Sequence, residues 1–263
     1  MSSQTYIVVH ATRPVASVEL NRPDLHNAFN DDMIAEITSA FESLGRDGGI
    51  RAIVLSGAGK SFCAGADVNW MRRMVAYSFA ENVADAKTLA TMLRTIHDCP
   101  KPVIARVHGA ALGGGTGLVA ACDMAVALDS ALFGFTEARL GIIPAVISPY
   151  ALHKIGAAHA RRYFLTAERF SAAEAMRIGL VSAIAENAAQ ADEWIATITK
   201  EIIANGPQAV AAAKALIDDV PACPWDRVAE LTSGRIAERR VSDEGQEGLK
   251  SFLEKRKPGW ASP

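Results

Sequence analysis

Hydrophobic and polar positions alternate twice near the start of the chain, in TYIVVHA and PVASVEL, before NRPDLHNAFN breaks the rhythm. Period-two alternation predicts two short strands. From Asp31 the spacing changes: Met33, Ile34, Ile37, Phe41 and Leu44 recur at helical intervals, with Asn30 or Asp31 as N-cap and Gly45 as the stop. IRAIVLSG is then the continuous apolar run of a buried strand. A second cycle follows, in which Val83, Ala86, Leu89, Leu93 and Ile96 mark a helix, CPKP ends it and PVIARVHG is the next strand. Beyond a glycine-rich loop, Leu118 to Ala121 read as helix, and DMAVAL and ALFGF as strands. Strands and helices alternating in this way predict an α/β core.

The remainder is helical. Ser171 followed by Glu174 has the spacing of a capping box ahead of AMRIGL, with Gly179 suited to the C′ position. Pro207 fits N1 of a helix through AVAAAKAL, and two further helices are expected near 226–240 and 243–256. No sheet pattern recurs after 195. The expected organisation is a core over 1–195 and a helical extension over 196–263 that packs on the core or on another subunit.

Bulk properties narrow the function. The chain has 263 residues, half of them hydrophobic, with a formal net charge of −2. That is the balance of a globular protein and not of a basic nucleic-acid binder. The apolar runs fall short of the roughly 20 residues a membrane helix needs, Asp123 interrupting the longest. The opening MSSQTYIVVHATR lacks the basic and apolar segments of a secretory signal. Cys63, Cys99, Cys122 and Cys223 are widely spaced, which suits reduced thiols in a cytoplasmic protein and not a zinc site.

Several chemistries can be set aside. VLSGAGKSF follows a strand and contains Gly-Lys-Ser, but a phosphate-binding P-loop needs a glycine where this chain has Val54. No GxSxG pentapeptide supplies a hydrolase nucleophile. The histidines, at 10, 26, 97, 108, 153 and 159, have no metal-ligand spacing, and His108 before the glycine loop is expected to be structural.

Two glycine-bearing loops remain, CAGAD (63–67) and GAALGGG (109–115), each following the C-terminal end of an expected strand. Open α/β sheets place ligands there. Loops from neighbouring strands can each aim one backbone N–H at a single oxygen, forming an oxyanion hole; equally, their glycines allow tight strand–helix packing. Glu137, in FGFTEARLGIIP, is the acid–base candidate. Thr136 could cap a short helix and leave Glu137 in a favourable first turn, or the apolar neighbours could bury the carboxyl and raise its pKa for proton transfer.

Together NRPDLHNAF, AIVLSGAGKSFCAGADV, KPVIARVHGAALGGG, ACDMAVALDSALFGFTEARLGIIP and FLEKRKPGW resemble, in order and over nearly the whole chain, the crotonase superfamily of enoyl-CoA hydratases and isomerases. The resemblance implies a ββα spiral core with a C-terminal helical region, assembly as a homotrimer or dimer of trimers, and an acyl-CoA thioester substrate with no metal or redox cofactor, coenzyme A being part of the substrate. It places the oxyanion hole at the N–H groups of Ala66 and Gly114, with Ala64 and Gly113 beside them. Asp67, Val68 and Asn69 would continue a loop along the CoA, and Leu25 would line its adenine end. Lys255 matches a basic stretch that approaches the CoA phosphates, or is simply a solvated helix end. Glu137 takes the position of the family glutamate that exchanges a proton with the α-carbon.

The chain also departs from that pattern. Typical hydratases of the family read GGG-x-E, with a second glutamate that orients or activates water; here the position belongs to Gly117, and Ala145 offers no substitute where some relatives carry an aspartate. The resemblance therefore implies either a hydratase working with one carboxylate or a Δ3,Δ2-enoyl-CoA isomerase, which needs only one; a non-catalytic acyl-CoA binder would have little use for Glu137. ARLGIIPAVISPYAL and RRYFLTAERF resemble members associated with methylglutaconyl-type esters of leucine or terpenoid breakdown. A distal carboxylate on such a substrate would call for an arginine, with Arg139, Arg94 and Arg72 as candidates.

Overall fold

The computed structural model describes residues 5–261. The two alternating stretches form β1 (Ile7–His10) and β2 (Val15–Leu20), and α1 follows (Asp31–Arg46). Asn30 caps α1 by accepting from Met33 N, and Met33, Ile34, Ile37, Phe41 and Leu44 are all buried, each contributing roughly 2 kcal/mol of transfer free energy. Gly45 is not its stop. The helix runs one residue past it to Arg46, and a Cβ at Gly45 would sit 3.3 Å from Pro100, so this glycine serves close packing.

The chain continues as β3 (Ala52–Gly57), α2 (Val68–Met74), α3 (Phe79–His97), β4 (Val103–Val107), β5 (Ala110–Leu112), α4 (Gly114–Ala121), β6 (Met124–Leu128) and β7 (Leu132–Gly134). A 3-10 turn over Glu137–Leu140 precedes α5 (Ser148–Thr166), β8 (Arg169–Ser171), α6 (Ala172–Arg177), β9 (Ala183–Ala185) and α7 (Ala188–Ala204). The last helices are α8 (Pro207–Ala222), α9 (Val228–Val241) and α10 (Asp243–Leu253).

One sheet has the order β1-β2-β3-β4-β6-β9, antiparallel only between β1 and β2; a smaller one has the order β5-β7-β8. The central strands are covered on both faces, as parallel strands generally are. Ile53, Leu55, Val103, Ala105 and Ala125 join the main core, whereas Val54, Ile104 and Val126 pack under Ile195 of α7. The boundary expected at 195 falls inside that helix, which belongs to the sheet's outer layer.

Three local expectations change. GAALGGG is not simply a loop: its middle forms β5, paired with β7, and its end starts α4. Val68 and Asn69 lie in the first turn of α2, not in an extended loop, because the Asp67 side chain caps them. Ser171 accepts from Glu174 N, but the Glu174 carboxylate turns to Arg177 and Tyr163 instead of closing a reciprocal box. Pro207 does open α8, and the last two helices lie within two or three residues of their expected bounds. Among the described residues no helix is long and apolar enough to cross a membrane.

Candidate active site

Asn27 and Arg22 fasten the first site loop. Asn27 adopts a left-handed backbone and is fully buried. Its amide donates to the carbonyls of Ala58 and Ser61 at 2.9 and 2.8 Å and its carbonyl accepts from Arg22 N at 2.8 Å. The segment before α1 thereby holds the loop after β3. Phe29 N then donates to Gly65 O, and Asp67 N to Phe29 O, so Ala66 is clamped between two hydrogen bonds to one residue.

The Asp67 carboxylate is wholly engaged. It lies 2.8 Å from the Arg22 guanidinium, with both side chains nearly inaccessible, and accepts from Asn69 N and Trp70 N. Burial pushes its pKa up, but Arg22 and the two amides outweigh that effect and hold it below the ordinary carboxylate value. Its role is therefore to anchor the loop and start α2. Val68 and Asn69 stand exposed beside it, as does Leu25 on the preceding segment.

The second loop crosses the first. Cys63 N donates to Ala110 O, and Leu112 N to Cys63 O. Gly65, at φ +97°, is placed so that a Cβ would lie 2.9 Å from Leu112 O and 3.7 Å from Gly114 N. Side chains at these positions would drive the loops apart. Gly114 faces Phe29, whose ring would meet a Cβ at 2.7 Å. Gly113 N is taken by Gly134 O at 2.8 Å. The N–H groups of Ala66 and Gly114, by contrast, donate to no protein acceptor among the described residues. Gly114 is also the first residue of α4, where unpaired N–H groups and the helix dipole favour negative charge. Ala64, spent on His26 O, completes the first loop.

Thr116, which the sequence did not single out, keeps α4 in place. Its hydroxyl lies 2.7 Å from Ala111 O and 3.0 Å from Gly134 O, tying the helix to β5 and β7. Beyond β7 the 3-10 turn begins with Glu137; Thr136 makes no side-chain cap. The Glu137 carboxyl leans over Gly113, 3.3 Å from where a Cβ would be, and its Oε2 is buried without a hydrogen-bond partner. Burial raises its pKa above the ordinary glutamate value. An under-partnered carboxyl therefore stands beside two free backbone donors. The arrangement can hold a carbonyl oxygen that gains charge and can move a proton next to it.

Gly117 is not an open vacancy. It is fully enclosed, and a Cβ there would lie 2.8 Å from Ile147 Cβ, so Ile147 fills the space a larger residue would need. His108 places its Nε2 3.0 Å from Gly59 O, which leaves it bracing the first loop. Arg139 shares the turn of Glu137, with Nε given to Ala167 O at 3.0 Å. Arg94 is paired with Asp98 on α3, and Arg72 with Asn69 on α2. Lys255 is exposed just past α10, a helix that packs on α8 and α9.

Known proteins share this architecture. A family model described as enoyl-CoA hydratase/isomerase matches residues 10–263. A crystal structure of an enoyl-CoA hydratase from Shewanella pealeana superposes with a TM-score of 0.94 at 40% identity, covering 97% of this chain and 96% of that one. A crotonyl-CoA hydratase of Syntrophomonas wolfei is 33% identical over 97% of this chain and 98% of its own. A peroxisomal Δ(3,5)-Δ(2,4)-dienoyl-CoA isomerase of Arabidopsis thaliana is 32% identical over 92% and 91%. With its ββα core, its two crossed glycine loops and matches that span nearly its whole length, the chain belongs to the enoyl-CoA hydratase/isomerase family of the crotonase superfamily.

Proposed function

We propose that the protein hydrates the 2,3 double bond of an enoyl-CoA thioester, or dehydrates the corresponding 3-hydroxyacyl ester, with Glu137 as its single acid–base group. The observation that carries this reading is the buried, unpartnered Oε2 of Glu137 beside Gly113 and Gly114. In the forward direction the thioester oxygen accepts from Ala66 N and Gly114 N. The Glu137 carboxylate takes a proton from water as its oxygen bonds to the β-carbon, and charge passes to the thioester oxygen. The protonated Glu137 then returns that proton to the α-carbon. One carboxyl with a raised pKa suits both halves of the cycle.

We further propose a substrate with a distal carboxylate, of the methylglutaconyl type. Arg139 supports this: it is on the turn of Glu137, and among the described residues only its Nε is committed. The same single carboxyl also fits a Δ3,Δ2-enoyl-CoA isomerase, a reading favoured by Ile147 occupying the space at Gly117. Incubation with crotonyl-CoA, 3-methylglutaconyl-CoA and a 3-enoyl-CoA separates the two. Loss of enoyl absorbance with the first two is expected, greatest with methylglutaconyl-CoA, and Arg139→Met should raise KM for that ester more than for crotonyl-CoA. Reaction of the 3-enoyl ester alone would overturn the hydratase reading.

A further inference from the structure

On the far side of α4 lies a second cavity of about 410 Å³, bounded by α3, α5, α7 and α8. It is not a packing accident of small residues. Val210, Ala213 and Ile217 recur along one face of α8 at helical spacing, yet no residue of that 16-residue helix is fully buried. An amphipathic helix normally closes its apolar stripe against its neighbours at crystal-like density. Here the stripe faces open space, with Met124 and Ile202 completing an apolar wall.

Polar groups from α3, α5, α8 and the start of β6 share the cavity with that stripe, two aspartates and two lysines among them, and their pairing is uneven. Asp123 is occupied twice: its Oδ2 lies 2.8 Å from Lys214 Nζ and accepts from Val103 N at 2.7 Å. Asp218 is held by His97 at 3.0 Å, with His153 at 3.8 Å. Lys154 is different. Its ammonium meets no carboxylate, only the carbonyls of Val119 and Asp123, at 3.5 and 3.3 Å. Both contacts are at the long limit of a hydrogen bond, and an ammonium has three protons to place. Burial is the largest influence on this amine and pushes its pKa below the ordinary lysine value, with Asp123 offsetting only part of that effect.

We propose that this cavity is a second ligand site, taking a small carboxylate with a short or branched apolar tail, whose carboxylate pairs with Lys154 and whose tail lies on the α8 stripe. Charge complementarity fixes the head group, since Lys154 is the one cation there in no salt bridge among the described residues, and the apolar stripe fixes the tail. The site lies against the C-terminal end of α4, because Lys154 reaches Val119 O in the last turn of that helix and Asp123 O just beyond it, whereas Gly114 opens the other end. It is thus separate from Glu137 and does not depend on the role given to it.

The test is calorimetric titration of the full-length protein with sodium 3-methylbutanoate and, in parallel, with uncharged 3-methylbutanamide. One saturable carboxylate site per chain is expected, unchanged in Glu137→Gln. It should weaken by about tenfold or more in Lys154→Met, the usual loss for a charge-assisted hydrogen bond, and likewise in Ala213→Trp, which fills the space from an exposed helix position. The amide should bind at least as weakly. Equal binding of amide and carboxylate, undiminished binding to Ala213→Trp or Lys154→Met, loss of binding in Glu137→Gln, or no saturable binding would each overturn the proposal. Should Lys154→Met fail to fold, Ala213→Trp and the amide comparison decide the matter alone.

Discussion

A carboxyl without a partner is costly in a folded protein, and Glu137 carries that cost where a proton has to move. The sign of its effect on stability follows from its pKa. Burial raises it above 4.5, so the folded state holds the proton more tightly than the unfolded chain. The favourable contribution is complete below the unfolded value and is lost as pH rises through the folded one. Above its folded pKa the carboxylate is a partly desolvated anion whose Oε2 has no hydrogen-bond partner among the described residues. Glu137→Gln removes that charge and should raise Tm at pH 7, with the gap closing as pH is lowered towards 4. It should also abolish turnover while CoA-ester binding survives. Thermal scans over pH with an activity assay check both; near-normal activity would remove Glu137 from its assigned role. Its neighbourhood was legible in FGFTEARLGIIP, since a glutamate between a strand and an apolar run has few ways to stay solvated. The filling of the Gly117 position was not. Ile147 is thirty residues away, and only the fold brings its side chain against that glycine.

At the scale of elements, helices with long apolar periods could be read directly and short ones could not. The five buried residues of α1, Met33 to Leu44, recur at helical spacing within a sixteen-residue helix, enough to exclude a strand. By contrast β5, β7, β8 and β9 have three residues each, too few to show any period, and they form only because a neighbour accepts them. The seven residues of α2 likewise depend on their cap. Asp67 holds that cap and the Ala66 loop together, which makes it the support of the first donor. Its folded pKa lies below 3.8, so it stabilises the fold above that value and the contribution is lost as pH falls through the folded pKa. Asp67→Ala strands the Arg22 guanidinium, and breaking such a buried pair costs about 3–5 kcal/mol. Chemical denaturation at neutral pH should show that loss, shrinking under acid conditions, and kcat should fall through displacement of Ala66 N. An unchanged kcat would mean that the loop keeps its shape without the pair.

The whole molecule leaves much apolar surface uncovered in the region of its last helices. Trp225, Val241, Phe252 and Leu253 are 77–89% exposed, and Leu165 at the end of α5 is 78% exposed. Isolated exposed apolar residues are ordinary, but several large ones on one helical region mark a contact surface. α9 buries no residue completely and α10 only Ser251, although Leu249, Phe252 and Leu253 give α10 an apolar face. A helix pair of that kind is held mainly by what it docks on. Assembly into trimers, or dimers of trimers, would cover this surface and explain why a region so poor in buried residues keeps its helices. Light scattering coupled to gel filtration should then give a mass three or six times the 27.9 kDa of one chain. Phe252→Glu adds a charge to the exposed face without touching the core. It should shift the protein toward monomer and lower Tm in a concentration-dependent way, as expected when association and folding are linked. A monomeric wild type would show that α9 and α10 hold their places through α8 alone, and the exposed aromatics would then need another occupant.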